Sequence, residues 1–322
     1  MAEIETGMTR PEGDGTLDLT VLIPVLNEAE NLAPLLAKLA ADLAPLGLRY
    51  EVLVVDDGST DGTAAALHAL KPRTPALRMI SFRRNYGKSA ALSVGFREAR
   101  GARIVTMDGD LQDDSAEIGP LLKKIGEGLD VVSGWKQDRQ DPISKTIPSK
   151  LFNGVTSLVT GVSLHDMNCG LKAYRAETAK AVRLRGELHR FIPVLAHWNG
   201  YKVGEIPVVH HKRLHGKTKF GADRFINGFL DLLAVMFMTT SSTRPLHLFG
   251  RMGIFFAFLG FACIVWASWP WFLGEGLRLR PSLVLGLVLV ILGIQFLSLG
   301  FLGELIAGTR GEEPEYAIRD RI

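Results

Sequence analysis

The chain has 322 residues, of which 47% are apolar, 22% charged and 8% aromatic, and 37 basic against 34 acidic side chains leave a net charge of +3. These values exclude a disordered or collagen-like chain and give no positive excess that would point to nucleic acid. The charges are unevenly placed: residues 252–303 contain only Glu275, Arg278 and Arg280, so a charged globular part precedes an apolar tail.

Taken in chain order, residues 1–17 carry Glu3, Glu5, Glu12 and Asp14 and no apolar run. They are expected to form a disordered tail rather than an export signal, which keeps the globular part cytoplasmic. Strands are predicted at 19–25, 51–55, 77–82, 103–107 and 130–133, with helices at 29–43, 63–70, 88–100 and 116–125 between them. Such alternation predicts an α/β domain with a mostly parallel sheet and helices on both faces. Ligands of such sheets bind beyond the carboxyl ends of the strands.

Three strand-end loops are acidic. The first runs Pro24-Val25-Leu26-Asn27-Glu28, the second Asp56-Asp57-Gly58-Ser59-Thr60-Asp61-Gly62-Thr63, and the third Asp108-Gly109-Asp110-Leu111-Gln112-Asp113. Asp108 and Asp110 flank a glycine at a strand end, so both carboxylates can reach one hard divalent ion, with Gln112 adding a carbonyl oxygen. Mg2+ or Mn2+ suits such oxygen ligands and shares its shell with phosphates. Asp57 suits a hydrogen bond from a base or ribose, whereas Asp56, Ser59, Asp61 and Thr63 read as turn and capping residues. Gly87-Lys88-Ser89 resembles the end of a phosphate-binding loop, but Phe82 stands where that loop needs glycine. Two readings of Arg83, Arg84 and Lys88 therefore stand, ligand contact and a solvated basic turn. Cys169 and Cys263 fall on opposite sides of the division between globular part and tail, so no disulfide is expected.

These ordered strings, with Asn85-Tyr86-Gly87-Lys88, Asp166-Met167-Asn168-Cys169-Gly170-Leu171-Lys172 and the basic segment 210–220, resemble the inverting family-2 glycosyltransferases. The resemblance is to their dolichol/polyprenyl-phosphate sugar transferase branch, and it covers residues 18–308. It implies a GT-A fold, a nucleotide-sugar donor, a divalent metal and a polyprenyl phosphate acceptor at a lipid bilayer. By that similarity Pro24, Leu26, Glu28, Val55 and Asp57 line the nucleoside pocket. Asp108, Asp110 and Gln112 hold metal and diphosphate, while Arg213 and Lys219 clamp phosphate. Lys136 stands where relatives carry arginine, which keeps the charge and loses the bidentate geometry. Asp166, with Asp110, is the expected catalytic carboxylate, as general base or acceptor-orienting group. A cap before Cys169-Gly170 is its structural alternative. An attacking phosphate is already anionic near neutral pH, so a strong base is less needed than for a sugar hydroxyl.

The segment 210–219 packs four cations and three histidines into ten residues, which suits lipid phosphates. Residues 221–245 are expected to form an interfacial amphipathic helix. Residues 252–274 and 281–303 are two 23-residue uncharged runs, each long enough to span a bilayer. The short turn between them makes a hairpin that returns residues 309–322 to the starting side. Trp266, Trp269 and Trp271 suit the interface. Gly286, Gly293 and Gly300 recur every seven residues, a stripe expected to pair helices between protomers as a homo-oligomer. The expected layout is thus a GT-A domain over 18–220 and a membrane hairpin over 246–308. A processive polysaccharide synthase is the alternative enzyme; the Gln-x-x-Arg-Trp pentapeptide usual in those relatives does not occur in this sequence. A non-enzymatic membrane subunit is the alternative from another class, opposed by the retained carboxylates.

Overall fold

The computed structural model describes residues 17–137, 153–154, 156–157, 160–184, 186–211, 245–273, 281–308 and 318–321. They divide into two compact units, 17–211 with 318–321, and 245–308. The strands of the first unit are β1 (Leu17–Val25), β2 (Tyr50–Asp56), β3 (Leu77–Phe82), β4 (Gly101–Thr106), β5 (Val131–Lys136), β6 (Lys172–Arg175), β7 (Val203–Val208) and β8 (Ile318–Arg321). Its helices are α1 (Ala29–Leu43), α2 (Thr63–Leu70), α3 (Lys88–Glu98), α4 (Ile118–Gly126), α5 (Ala176–Ala181) and α6 (Ile192–Trp198).

The strands form one sheet in the order β7-β5-β6-β4-β1-β2-β3-β8. β6 and β8 run antiparallel to their neighbours, and the other strands are parallel. The two-residue period of a strand explains how both faces are covered. On β1, Leu19, Val21, Ile23 and Val25 pack with Leu32 and Leu39 of α1 and Leu121 of α4. Leu22 points the other way, into a second core with Leu92 and Phe96 of α3 and Ile192 of α6. Gly95 of α3 is needed for that contact, since a Cβ there would lie 2.3 Å from Leu22 Cδ1.

All the strands and helices predicted over 19–133 are present, with ends shifted by a few residues. Three strands were not predicted. β6 is four residues long and begins at Lys172, the last residue of the 166–172 string; it sits between β4 and β5 and pairs with both. β7 follows at the sheet's far edge beside β5. β8 lies in the stretch expected to be only a tail. It pairs antiparallel with β3, Ile80 opposite Arg321 and Ser81 opposite Asp320, and His68 Nε2 stands 3.0 Å from Asp320 Oδ2. It occupies a strand edge that would otherwise present unpaired main-chain groups.

The second unit is a pair of 28-residue helices, α7 (Pro245–Phe272) and α8 (Pro281–Gly308). Each contains a stretch long and apolar enough to cross a membrane, Leu246–Trp269 and Pro281–Gly303, with mean hydropathy 2.1 and 2.5. The first begins ahead of the predicted 252 because the helix takes in Arg251 near its end, where a long side chain can reach the interface. Phe258, Trp266 and Leu305 are about 70% exposed, a surface suited to lipid and not to water. The glycine stripe is used within the hairpin: a Cβ on Gly286 would lie 2.7 Å from Ile264 Cγ1, and one on Gly293 would lie 2.7 Å from Gly253 O. The stripe is therefore spent on intrachain packing, which removes it as the reason to expect protomer pairing. The expected interfacial helix over 221–245, apart from Pro245, lies outside the described residues, as do Arg213 and Lys219.

Candidate active site

The three acidic loops meet at one sheet edge, at the carboxyl ends of β1, β2 and β4, where β1 has β2 on one side and β4 on the other. The first two loops are knitted together. Asn27 adopts φ +56° and accepts from Thr60 N at 2.8 Å, Ser59 Oγ accepts from Asn27 N at 2.8 Å, and Thr63 Oγ1 accepts from Glu28 N at 3.0 Å. Asp56 is a turn residue, taking Ser59 N at 2.9 Å and the Ser81 hydroxyl at 2.8 Å. Asp61 closes a side-chain turn into α2, accepting from Thr63 N at 3.0 Å just ahead of the Gly62 cap. Both assignments match the turn and capping roles read from the sequence.

Pro24, Leu26 and Glu28 are half-buried on the first loop. Val55 is fully buried in the core on the α3 face, at the end of β2 just before Asp56 and Asp57. Asp57 is 4% exposed, and its oxygens accept from Tyr86 N at 2.7 Å and Gly87 N at 2.9 Å. Burial raises its pKa against those two hydrogen bonds, and Asp56 beside it raises it further. Asp57 therefore also holds the 85–88 turn, with a lone pair on each oxygen left for a ligand. Gly58 permits this approach: its φ is +73°, and a Cβ would stand 2.4 Å from the Arg84 carbonyl carbon.

The third loop turns sharply. Leu111 adopts φ +61°, and Asp110 Oδ1 accepts from Gln112 N at 3.2 Å. Gly109 is required because a Cβ would lie 2.8 Å from Val25 Cγ1. Lys88 Nζ contacts Asp108 Oδ1 directly, so an ammonium already stands where a cation is called for. Among the described residues no three His, Cys, Asp or Glu side chains group as a metal site. A divalent ion at Asp108 and Asp110 would complete its shell with Gln112, diphosphate oxygens and water, as Mg2+ commonly does. The donor set and the Lys88 ammonium both fit such an ion.

Asp166 is 1% exposed, and its Oδ1 accepts from Asn168 N at 3.1 Å, the turn-capping geometry of its structural alternative. His165 beside it stacks on Trp135 at 4.2 Å and pairs with Glu205 while remaining 63% exposed. Lys136 ends β5 with its side chain 13% exposed and Nζ 3.4 Å from Asp113 Oδ1. Burial lowers its pKa, but Asp113, Cys169, Asp108 and Asp166 together outweigh this and raise it. Lys172 starts β6, fully buried, and donates to Cys169 O; burial lowers its pKa.

A recess at this edge is lined by Pro24, Lys88, Asp108, Asn168, Gly170 and Lys172, among others. It brings the Asp108 loop beside the 168–172 string. Sequence reasoning did not assign Asp113 or Gly170, although both stand in the quoted strings. Their positions were legible, and their contacts were not.

Residues 20–183 match the family described as Glycosyl transferase family 2. Over 313 residues the chain is 38% identical to the dodecaprenyl-phosphate galacturonate synthase of Rhizobium johnstonii, covering 94% of this chain and 93% of that one. It is 36% identical over 315 residues to the undecaprenyl-phosphate 4-deoxy-4-formamido-L-arabinose transferase of Edwardsiella ictaluri, covering 94% of each. Among solved structures, the Mycobacterium tuberculosis glucosyl-3-phosphoglycerate synthase with Mn2+ and uridine-diphosphate-glucose aligns with a TM-score of 0.52 at 18% identity. That alignment covers 70% of this chain and 79% of that one, and the likeness is one of fold.

Proposed function

This chain belongs to glycosyltransferase family 2, and from that premise we propose that it moves one sugar from a nucleoside diphosphate donor to a polyprenyl phosphate, with inversion. One observation carries the acceptor. Two relatives named for different sugars are both named for a polyprenyl phosphate, and each matches 94% of this chain, well beyond the family domain. The hairpin supports the same acceptor, since it would hold the protein at the bilayer where such a lipid resides.

In this reading Pro24, Leu26, Glu28 and Asp57 receive the nucleoside. Asp108, Asp110 and Gln112 hold a divalent ion, Mg2+ or Mn2+, which supplies positive charge to the departing diphosphate. Lys136, Arg213 and Lys219 add fixed cations to the same anions. Asp166 orients the acceptor phosphate, whose oxygen attacks the anomeric carbon from the face opposite the leaving group. The globular unit and both chain ends lie on the cytoplasmic side. The return of β8 to the sheet supports a shared side for the globular unit and the C-terminal strand, because a chain that crosses twice rejoins the unit it left. Residues 18–220 form the catalytic domain and 246–308 the anchor.

The test is transfer by the purified full-length chain with Mg2+ or Mn2+, undecaprenyl phosphate and a panel of UDP- and GDP-sugars that includes a uronic acid. Sugar appears on the lipid with at least one donor, and Asp110→Ala abolishes it. No transfer from any donor, or transfer unaffected by Asp110→Ala, overturns the reading.

A further inference from the structure

Asp113 engages groups from three parts of the chain, and its side chain is only 2% exposed. One oxygen, Oδ2, accepts from Asp108 N at 3.1 Å. The other, Oδ1, stands 3.4 Å from Lys136 Nζ and 3.6 Å from His210 Nδ1. The main chain joins in. Asp113 forms an antiparallel bridge with His210, and Gln112 O accepts from His211 N at 2.8 Å. His211 Nε2 lies 2.9 Å from Asp114 Oδ2, so the root of the basic segment is laced to the acidic loop.

We propose that Asp113 is a positioning residue that holds the Lys136 ammonium off Asp108, keeping the acidic pair open to a divalent cation, and fixes the root of the basic segment. The inference rests on the reading of Asp108 and Asp110 as the cation site. Its physical basis is the cost of buried charge. A buried ammonium must find a counter-ion, and losing one partner of such a pair strands the other. The carboxylates nearest in effect to Lys136 after Asp113 are Asp108 and Asp166. Without the Asp113 charge, Lys136 turns to Asp108, which already carries Lys88, and a second ammonium then competes with the metal. The arrangement also accounts for a lysine at this position. A single ammonium is held as a point charge by one oxygen, leaving the other oxygen of Asp113 for the loop main chain.

The test measures Mn2+ binding to the purified full-length chain by electron paramagnetic resonance, which needs no turnover. Asp113→Asn keeps the side-chain shape and an acceptor for Asp108 N while removing the charge. It weakens Mn2+ binding about fivefold or more, the order expected of one competing ion pair. Lys136→Met in the same chain restores binding to within about twofold of the parent, which a merely structural role for Asp113 would not produce. If Asp113→Asn fails to fold, Asp113→Glu is used: it keeps the charge, misplaces it by one methylene, and shows a smaller loss with the same rescue. Unchanged Mn2+ affinity in the Asp113 variant, or a loss that Lys136→Met does not reverse, overturns the inference and leaves the transferase reading intact. A parent chain that binds no Mn2+ overturns the cation assignment and this inference with it.

Discussion

Gly170 lies against the carboxylate of Asp108 so closely that a Cβ on it would stand 2.6 Å from Oδ2 and 2.7 Å from Cγ. The glycine of the 166–172 string is thus a floor for the acidic strand-end loop. Gly170→Ala would push Asp108 out of place with little cost elsewhere. Transfer activity should fall at least about tenfold, since small misplacements at a reacting centre are expensive. The melting temperature should move by only a few degrees, as roughly 1 kcal/mol would produce. Gly126→Ala, where a Cβ meets nothing within 4 Å, is the comparison and should be silent. Equal activity in the two variants would show that Asp108 has room to adjust.

Lys88 competes with any metal for Asp108, with which it pairs at about one-third exposure of each side chain. Lys88→Met should therefore tighten Mn2+ binding about twofold to fivefold, the range for a partly exposed ion pair. Calorimetric titration of the full-length chain measures it. Weaker binding in the variant would mean that Lys88 supports the cation site instead of occupying it.

Asp114 gives the site an acid-sensitive support. Burial raises its pKa, but hydrogen bonds from Lys38, His211 and Ala116 N outweigh it and bring the value down to about 2. The folded value lies below the unfolded one of about 3.9, so the pairing stabilises the fold above about pH 4 and is lost as pH falls toward 2. Asp114→Asn should cost on the order of 1 kcal/mol at pH 6 and nothing near pH 2. Denaturation of parent and variant across that range measures the difference. A gap that stays constant with pH would trace the effect to packing.

β8 protects the free side of β3, so deleting residues 316–322 should uncover a strand edge. Unpaired edges template association. The deletion should lower the melting temperature by a few degrees and broaden the size distribution of the detergent-solubilised protein, an effect of roughly 1–2 kcal/mol. Unchanged melting and monodispersity would show that the sheet does not depend on this strand.

Much of this protein was legible in its sequence. Periodicity placed the alternating strands and helices over 19–133, because each alternates its apolar residues with its own repeat and buries them locally. The acidic strings at strand ends marked the site edge, because topology sends the carboxyl ends of parallel strands to one side. The absence of charge in 252–274 and 281–303 marked the hairpin, since hydrocarbon tolerates little else. Only the tertiary structure decided what depends on residues distant in the chain. β6 and β8 are four residues each, too short to show a period, and exist through their partners. The glycine stripe of α8 was visible, but which helix it faces was not. Asp113 and Gly170 were letters in a string until folding brought one to Lys136 and His210 and the other beneath Asp108. Their roles come from contacts across 23 to 97 residues of chain and 62 residues of chain, respectively. A sequence fixes which groups are available, and the close approach of buried charge and backbone fixes what they do.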